Sequence, residues 1–275
     1  MIDRKRSVIL NSMPLPRPHD NATIDLRDRV ILITGATGGL GKPLSLACAA
    51  AGATVVLHGR IVRKLEALYD EIQRVGHREP IILPLDLAKA GADDFANVTS
   101  ALEAQLGRLD AIVHTAAMLG SLGPIEHQSF DSWLALLRVD VAAPMGLTRA
   151  TIRLLDKADD AAVIFTLDSR GQEPRAYWGG YAVTKAGVAA LARELADEWD
   201  HRDRLRVNAV VPGPMRSPLR GQTHPGEDAS LLPSPDALVP LYMHLIADQT
   251  KAESGLLIDA QAWLAGARAV SSLRP

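Results

Sequence analysis

The amino-acid sequence predicts a single α/β domain built around a parallel β-sheet, on three observations. The length of 275 residues is large for a minimal domain and small for two. Hydrophobic residues make up 47% of the chain and aromatic residues only 4%, so Ala, Val, Leu and Ile fill the interior, as in parallel sheets covered by helices. Short β-branched runs alternate with amphipathic segments from Val30 onward, which is typical of βαβ units.

Seven β-branched runs predict the strands. In chain order they are VILIT, ATVVLH, PIILP, LDAIVH, AAVIFTL, RLRVNAVV and GLLID. The segments between them show helical periodicity; in VRKLEALYDEIQRV, for example, Leu65, Leu68 and Ile72 recur at intervals of three and four residues. We therefore expect a doubly wound, seven-stranded parallel sheet in one domain that spans residues 24–275.

Two segments fall outside this pattern. Residues 1–23 contain Pro14, Pro16 and Pro18 at alternate positions, which favours an extended conformation, and their apolar run is too short for a signal peptide. We expect a flexible tail or an arm that contacts another subunit. Residues 211–235 contain six prolines and three glycines, which prevent long regular elements. Since a loop of this length within a domain is usually functional, we expect a lid over a substrate.

Composition limits the classes of partner. The formal net charge of −2, with both signs well mixed, argues against nucleic acid or an anionic membrane, and no stretch reaches the roughly 18 apolar residues of a membrane span. The single cysteine, Cys48, cannot form an internal disulfide, so a reducing, cytoplasmic location is expected. The histidines lack metal-ligand spacing such as HxxxH, so no metal is expected. A small molecule is the expected partner.

A glycine-rich turn follows the first predicted strand in VILITGATGGLGKPLSLACAAAGA. Glycines allow the backbone to approach a ligand, and the helix that follows directs free N–H groups at phosphate oxygens, so a dinucleotide pyrophosphate is the expected ligand. Two templates fit, TGxxxGxG and TGxxGxxG, and the turn alone does not choose between them. The turn residues expected to contact the cofactor are Gly35, Thr37, Gly38, Gly39, Leu40 and Gly41.

The end of the second strand, VVLHGR, carries no acidic residue that could bind a ribose 2′-hydroxyl. Arg60 stands there instead, where its cation could hold a 2′-phosphate. NADP(H) is therefore favoured over NAD(H).

Tyr181 and Lys185 lie four residues apart in a segment that reads as one long helix, so both are expected on one face. A neighbouring cation lowers the pKa of a phenol from about 10 toward neutrality, as an acid or base in hydride transfer requires. The pair is a candidate proton-transfer group.

With the glycine turn and the YxxxK pair, the sequence from about Leu26 to about Ala262 resembles the short-chain dehydrogenase/reductase family. The resemblance implies a Rossmann-type fold of the compact single-domain branch, which selects TGxxxGxG, and NADP(H)-dependent hydride transfer between carbonyl and alcohol. It also implies that Tyr181 protonates the carbonyl oxygen and that Lys185 holds the nicotinamide ribose. Further cofactor contacts implied by the resemblance are Asp86, Leu87, His114, Ala116, Pro212, Gly213 and Met215.

The sequence departs from the family at two of its four catalytic positions. Asp168, thirteen residues before the tyrosine, replaces a serine, and Asp140 replaces an asparagine. An ionised Asp168 would replace a hydrogen-bond donor with a repulsive acceptor, a loss that typically costs about 3 to 4 kcal/mol. A protonated Asp168 would donate as serine does, and Asp140 could then pair with Lys185. Ser169 is the other candidate for the serine role.

Three functions follow from these departures. The first is an NADP(H)-dependent carbonyl or alcohol oxidoreductase, and the second is an NADP(H)-binding protein with little turnover, a sensor or an assembly subunit. A dehydratase or epimerase with the same pocket is the third. The family also pairs the tyrosine helix across a two-fold axis, so a homodimer or homotetramer is expected through the small-residue face of Ala186, Ala189, Ala190 and Arg193.

Overall fold

The structure is a computed structural model that describes residues 24–247, 254–266 and 269–274. The predicted N-terminal tail, residues 1–23, lies outside the described residues. Eight strands lie in these ranges. They are β1 (Val30–Thr34), β2 (Thr54–Gly59), β3 (Ile81–Pro84), β4 (Ala111–His114), β5 (Ala161–Thr166), β6 (Leu205–Val211), β7 (Leu256–Asp259) and β8 (Val270–Ser272).

Ten α-helices accompany the strands in the same described ranges. They are α1 (Gly41–Ala50), α2 (Val62–Arg74), α3 (Ala92–Leu106), α4 (Phe130–Leu137), α5 (Ala143–Leu155), α6 (Ser169–Gln172), α7 (Gly179–Glu198), α8 (Pro218–Thr223), α9 (Val239–Ile246) and α10 (Ala260–Leu264). A π-helical turn, Arg138–Ala142, joins α4 to α5. None of these described helices combines the length and apolarity that a membrane span requires.

The strands form one sheet in the order β3-β2-β1-β4-β5-β6-β7-β8. The first seven are parallel, which confirms the predicted Rossmann-type sheet, and β8 adds an antiparallel edge beside β7. The prediction did not include β8, because its three residues, VSS, have no apolar pattern of their own. The strand order reverses between β1 and β4, and ligands of such sheets bind beside the carboxyl ends of the strands at this reversal.

Alternate strand residues pack on opposite faces of the sheet. Ile31 and Ile33 belong to the apolar cluster under α1, α2 and α9, whereas Leu32 and Ile112 belong to the cluster under α3, α5 and α7. Both faces are therefore covered, as the near-continuous apolar runs predicted.

A buried arginine and two half-buried charged residues lie together at the amino ends of the strands. Asp160 accepts hydrogen bonds from Arg206 at 2.8 and 2.6 Å and from Arg29 at 3.0 Å. Arg206 is only 1% exposed and also donates to the carbonyl oxygens of Leu245 and Ala247, each at 2.8 Å. The chain thus satisfies a fully buried guanidinium, which requires both a counter-charge and several acceptors.

Two buried histidines lie at the opposite, carboxyl ends of the strands. His58 on β2 is 2% exposed, and His114 on β4 is 4% exposed and lies beside Thr34 of β1. The His114 ring stacks on Phe165, with 5.0 Å between ring centroids, and its Nε2 lies 2.8 Å from the hydroxyl oxygen of Thr148. Burial lowers the pKa of His58 to about 4 and that of His114 to about 3, so both rings are neutral at neutral pH.

We expect these histidines to make the fold acid-sensitive. Because both folded-state pKa values lie below the ordinary value of 6.5, their stabilising contribution is complete above pH 6.5 and is lost as the pH falls toward 4 and 3. In this window each of the two histidines lowers the free energy of unfolding by about 1.4 kcal/mol for each pH unit below 6.5. The free energy of unfolding should therefore fall by about 4 kcal/mol between about pH 7 and about pH 5. Urea unfolding at the two pH values measures this.

Two variants test this assignment. A double variant replaces both buried histidines, His58→Gln with His114→Gln. The matched control, His127→Gln, replaces a histidine whose side chain is 74% exposed. The double variant should lose most of the pH dependence, and His127→Gln should retain it. A double variant with the same pH dependence as the parent protein would contradict the assignment.

Candidate active site

The glycine turn lies between β1 and α1, at the reversal of strand order. Gly35 has a φ of +66°, and a Cβ atom there would lie 2.9 Å from Cα of Ala116, in the segment after β4. A Cβ atom on Gly41 would collide with the carbonyl oxygen of Gly35. The structure therefore brings Gly35, Gly41 and Ala116 together, and only glycine fits at the first two positions.

The amino end of α1 can bind an anion. The residue before α1, Leu40, provides no side-chain cap, and within residues 24–247, 254–266 and 269–274 the N–H groups of Gly39 and Leu40 have no acceptor. Gly38 donates to the carbonyl oxygen of Gly35 at 2.8 Å, which closes the turn, and Thr37 is half-buried beside it. Free N–H groups at the positive end of a helix dipole are a binding site for phosphate.

The residues predicted at the adenosine end lie after β2 and β3, which are neighbours in the sheet. Arg60 is exposed directly after β2. Asp86 is half-buried and accepts a hydrogen bond from the N–H of Ala88 at 3.1 Å. Leu87 is 6% exposed and packs in the core.

The segment after β6 lies over the glycine turn. A Cβ atom on Gly39 would lie 3.0 Å from Cβ of Ser217. The side-chain amide of Gln261 on α10 donates to the carbonyl oxygens of Pro212 and Pro214 at 2.7 and 3.1 Å. Gly213, between these two prolines, has a φ of +68°. Gln261 thereby holds the start of this segment in place.

The predicted lid, residues 211–235, contains the six-residue helix α8 and a short 3-10 helix, Ala229–Leu231. Arg220 forms two hydrogen bonds to the carboxylate of Glu227, at 2.6 and 2.7 Å. Met215, near its start, packs partly against the core.

Tyr181, Lys185 and Asp168 meet at the carboxyl end of β5. The first two lie on α7, with Nζ of Lys185 5.6 Å from the centroid of the tyrosine ring. The hydroxyl of Tyr181 donates to Oδ2 of Asp168 at 2.9 Å, and the ammonium group of Lys185 donates to the carbonyl oxygen of Thr166 at 3.4 Å. Asp168 caps α6, whereas Ser169, the other candidate for the serine role, is exposed as its first residue.

Asp140 lies in the π-helical turn and is 2% exposed. Its carboxylate accepts hydrogen bonds from the N–H of Met118 at 2.8 Å and from the hydroxyl of Thr184 at 3.0 Å. Burial raises the pKa of Asp140, while the charge of Lys185 opposes this shift. The predicted pairing with Lys185 therefore acts through charge, and the hydrogen bonds of the carboxylate go to Met118 and Thr184.

The predicted direction of the Tyr181 pKa is wrong for this arrangement. Burial raises the pKa of Tyr181 far above its ordinary value of 10, and the negative charge of Asp168 and its hydrogen bond add to the increase. The prediction considered only the cation of Lys185. The phenol is only 3% exposed and lies against an anion, and both effects favour its protonated form.

One other sequence-based expectation needs correction. Ala189 was expected on the small-residue face that contacts another subunit, but it is 2% exposed and packs in the core under α7, whereas Ala190 and Arg193 are exposed and Ala186 is half-buried. The imidazole of His114 is enclosed by Phe165 and Thr148, and a contact of the His114 backbone with the cofactor stays a prediction.

Sequence reasoning missed four residues that the structure places in or around the site: Thr184, Arg170, Trp178 and Gln261. The position of Thr184 between Tyr181 and Lys185 was the one available signal, since residues three and four apart on a helix are neighbours. The ring of Trp178 lies 5.8 Å from that of Tyr181 and 6.1 Å from that of His224, measured between centroids.

The comparisons with known proteins agree with this geometry. The family model for the short chain dehydrogenase matches residues 29–228. The uncharacterized oxidoreductase YciK of Escherichia coli K12 is 36% identical over 86% of this chain and 93% of its own length. A short chain dehydrogenase structure from Pseudomonas syringae has a TM-score of 0.85 and 34% identity, covering 90% of this chain and 99% of that one.

A second solved structure is that of a short chain dehydrogenase from Escherichia coli CFT073 complexed with NADPH. It has a TM-score of 0.83 and 36% identity, and it covers 87% of this chain and 99% of that one. The match of the family model, together with these relatives, shows that the chain belongs to the short-chain dehydrogenase/reductase family.

Proposed function

We propose that this protein is an NADP(H)-dependent oxidoreductase that interconverts a small carbonyl compound and its alcohol. The observation that carries the proposal is the hydrogen-bonded pair of Tyr181 and Asp168, with Lys185 beside the phenol, at the carboxyl edge of a sheet whose glycine turn can bind phosphate. The NADPH-bound relative supports the choice of coenzyme, as does Arg60 in place of an acidic residue at the end of β2.

The free N–H groups before α1 and the close approach that Gly35 and Gly41 permit fit a pyrophosphate. Gly38, Gly39 and Thr37 would line it, Arg60 would hold the 2′-phosphate, and Asp86 with Leu87 would lie along the adenine. Ala116, the backbone of His114, Lys185, Pro212, Gly213 and Met215 would surround the nicotinamide end. When bound, NADP(H) supplies or accepts the hydride. We assign residues 211–235 as the lid of this site.

The proton moves between substrate, Tyr181 and Asp168. In alcohol oxidation, Oη of Tyr181 takes the hydroxyl proton of the substrate and passes its own proton to Oδ2 of Asp168, 2.9 Å away. The substrate loses a hydride and a proton, the carboxylate gains the proton, and the phenol ends neutral. Carbonyl reduction uses the same path in reverse. The relay avoids a free phenolate, which the raised pKa of Tyr181 makes unfavourable.

Lys185 and Asp140 support this relay. Nζ of Lys185 places a positive charge near the ring, where negative charge develops during transfer. Asp140 fixes the segment after β4 to α7 through Met118 and Thr184, and its charge acts on Lys185. Its role is therefore to position the two α7 side chains.

Replacement of Asp168 by asparagine tests the relay. Removing the charge lowers the pKa of Tyr181, but asparagine cannot accept the proton, so alcohol oxidation then requires a deprotonated phenol. At neutral pH we expect kcat/KM for oxidation to fall by roughly two orders of magnitude and to rise again with increasing pH, whereas the parent protein gives a flatter profile. Steady-state rates of NADP⁺ reduction across the pH range measure this.

Glu173→Gln is the matched control, because Glu173 lies in the same segment and its side chain is 77% exposed. It should leave both the rate and the pH profile unchanged. If Asp168→Asn kept the neutral-pH rate and the profile of the parent protein, Asp168 would not be the proton acceptor.

One observation favours a second candidate, an NADP(H)-binding protein with little turnover. The raised pKa of Tyr181 makes it a poor acid when Asp168 is ionised. Calorimetry with NADPH and NADH, followed by absorbance assays on aldehydes, ketones and quinones, separates the candidates. Tight NADPH binding without oxidation on any carbonyl, in the parent protein and in Asp168→Ser, would favour the binding protein. No NADPH binding would refute both.

A further inference from the structure

Arg170 is a half-buried cation without a counter-charge. Every other buried or half-buried arginine in residues 24–247, 254–266 and 269–274 forms an ion pair with a carboxylate, whereas the Arg170 guanidinium has none within 4.0 Å. A charge that is partly withdrawn from water is normally paired. The exception lies two residues after Asp168.

The backbone of Arg170 is fixed at the reacting groups. β5 ends at Thr166, Asp168 caps α6, and the N–H of Arg170 donates to Oδ1 of Asp168 at 2.8 Å. The other oxygen of that carboxylate accepts the hydrogen bond of Tyr181. The main chain that carries the arginine is therefore tied to the proton-transfer pair.

An aromatic ring holds the guanidinium. Cζ of Arg170 lies 4.9 Å from the centroid of the Trp178 ring, and that ring lies near both Tyr181 and His224 of the lid segment. A guanidinium stacked on an indole has one face covered, while its N–H donors point outward in the plane and remain free for a planar anion. Trp178 thus presents the cation at the wall of the substrate site.

A second half-buried arginine, Arg220 of the lid segment, is already paired. It makes two hydrogen bonds to Glu227, so its donors are directed along the segment itself. Of these two half-buried arginines, Arg170 is therefore the one whose donors are available to a ligand.

We infer that Arg170 binds an anionic group of the substrate, and that the substrate class is oxo acids or hydroxy acids whose carboxylate is separated from the reacting carbon by a short chain. This inference rests on the proposed function, since it assigns the substrate class of the same site. The forked donors of arginine match a carboxylate in two parallel hydrogen bonds, which also orients the carbonyl oxygen of the substrate toward Tyr181. A phosphate group offers the same chemistry and is distinguished below.

The experiment compares substrates that differ only in the anion. With NADPH, levulinate is compared with methyl propyl ketone, and dihydroxyacetone phosphate with dihydroxyacetone. We expect the parent protein to prefer levulinate, and Arg170→Gln to lower kcat/KM for levulinate by roughly ten- to hundredfold through KM, with the ketone changed less than about twofold. Arg170→Lys should recover part of the loss. A preference for the phosphate pair instead of the carboxylate pair would overturn the carboxylate assignment.

Arg153→Gln is the matched control, since Arg153 is exposed in the last turn of α5. Calorimetric binding of levulinate to the NADPH-loaded protein provides a readout that does not require turnover. Binding that Arg170→Gln abolishes and Arg153→Gln retains supports the inference even if no carbonyl is reduced, in which case only the proposed function fails. Equal loss for levulinate and the ketone, or levulinate binding that is absent or unaffected by Arg170→Gln, overturns it.

Discussion

Replacing Tyr181 with phenylalanine is expected to lower kcat for carbonyl reduction by roughly two to four orders of magnitude. The substitution removes one oxygen, which donates to Asp168 at 2.9 Å and which, in the proposed mechanism, exchanges a proton with the substrate. The ring remains, so its packing against Trp178, with 5.8 Å between the ring centroids, is retained. The loss should therefore appear in kcat, with the affinity for NADPH nearly unchanged.

Single-turnover kinetics with saturating NADPH, together with calorimetry, separate these two effects. Tyr177→Phe provides the matched control, because Tyr177 lies four residues earlier and is 65% exposed. Its rate should equal that of the parent protein. A Tyr181→Phe variant that reduces substrate at the parental rate would refute the assignment of the proton donor.

Replacing Asp160 with alanine is expected to lower the free energy of unfolding by about 3 to 5 kcal/mol. The reason is the charge that it leaves behind: Arg206 is 1% exposed and has the carboxylate of Asp160 as its counter-charge, and Arg29 shares that carboxylate at 3.0 Å. The carbonyl oxygens of Leu245 and Ala247 would still accept hydrogen bonds from the guanidinium, but they carry no charge. Urea unfolding followed by circular dichroism measures the change.

The neighbouring residue supplies the comparison. Asp159 also pairs with an arginine, Arg204, at 3.4 Å, but its side chain is 97% exposed. Since exposed ion pairs contribute about 0 to 1 kcal/mol, Asp159→Ala should be nearly neutral. Similar destabilisation by both substitutions would mean that burial does not govern the contribution of the Asp160 pair.

The fold could be predicted from the sequence because its signal is local. A strand buried on both faces requires a run such as VILIT or AAVIFT, and seven such runs at βαβ spacing leave few alternative arrangements. β8 could not be predicted in this way, since VSS becomes a strand only through pairing with the edge of β7. β8 therefore forms only because the fold places its residues beside β7.

The candidate site likewise has features that are local in the sequence and features that depend on the fold. The turn between Gly35 and Gly41 and the pair of Tyr181 and Lys185 are visible as spacings, because a single turn or a single helix places their members. The pKa of Tyr181 was predicted in the wrong direction, because it depends on burial and on Asp168, which a different strand brings to the phenol. The role inferred for Arg170 could not be predicted from the sequence, since whether a cation has a counter-charge depends on the residues that surround it in space.

The amide of Gln261 connects α10 to the segment proposed as the lid, through its contacts with the backbone at Pro212 and Pro214. If residues 211–235 form that lid, residues near the carboxyl terminus take part in gating, although the family model ends at residue 228. Truncation or tagging at that end would then act on the rate at which ligands enter and leave. Variant libraries designed to broaden the substrate range should accordingly vary residues of α10 together with residues that line the candidate site.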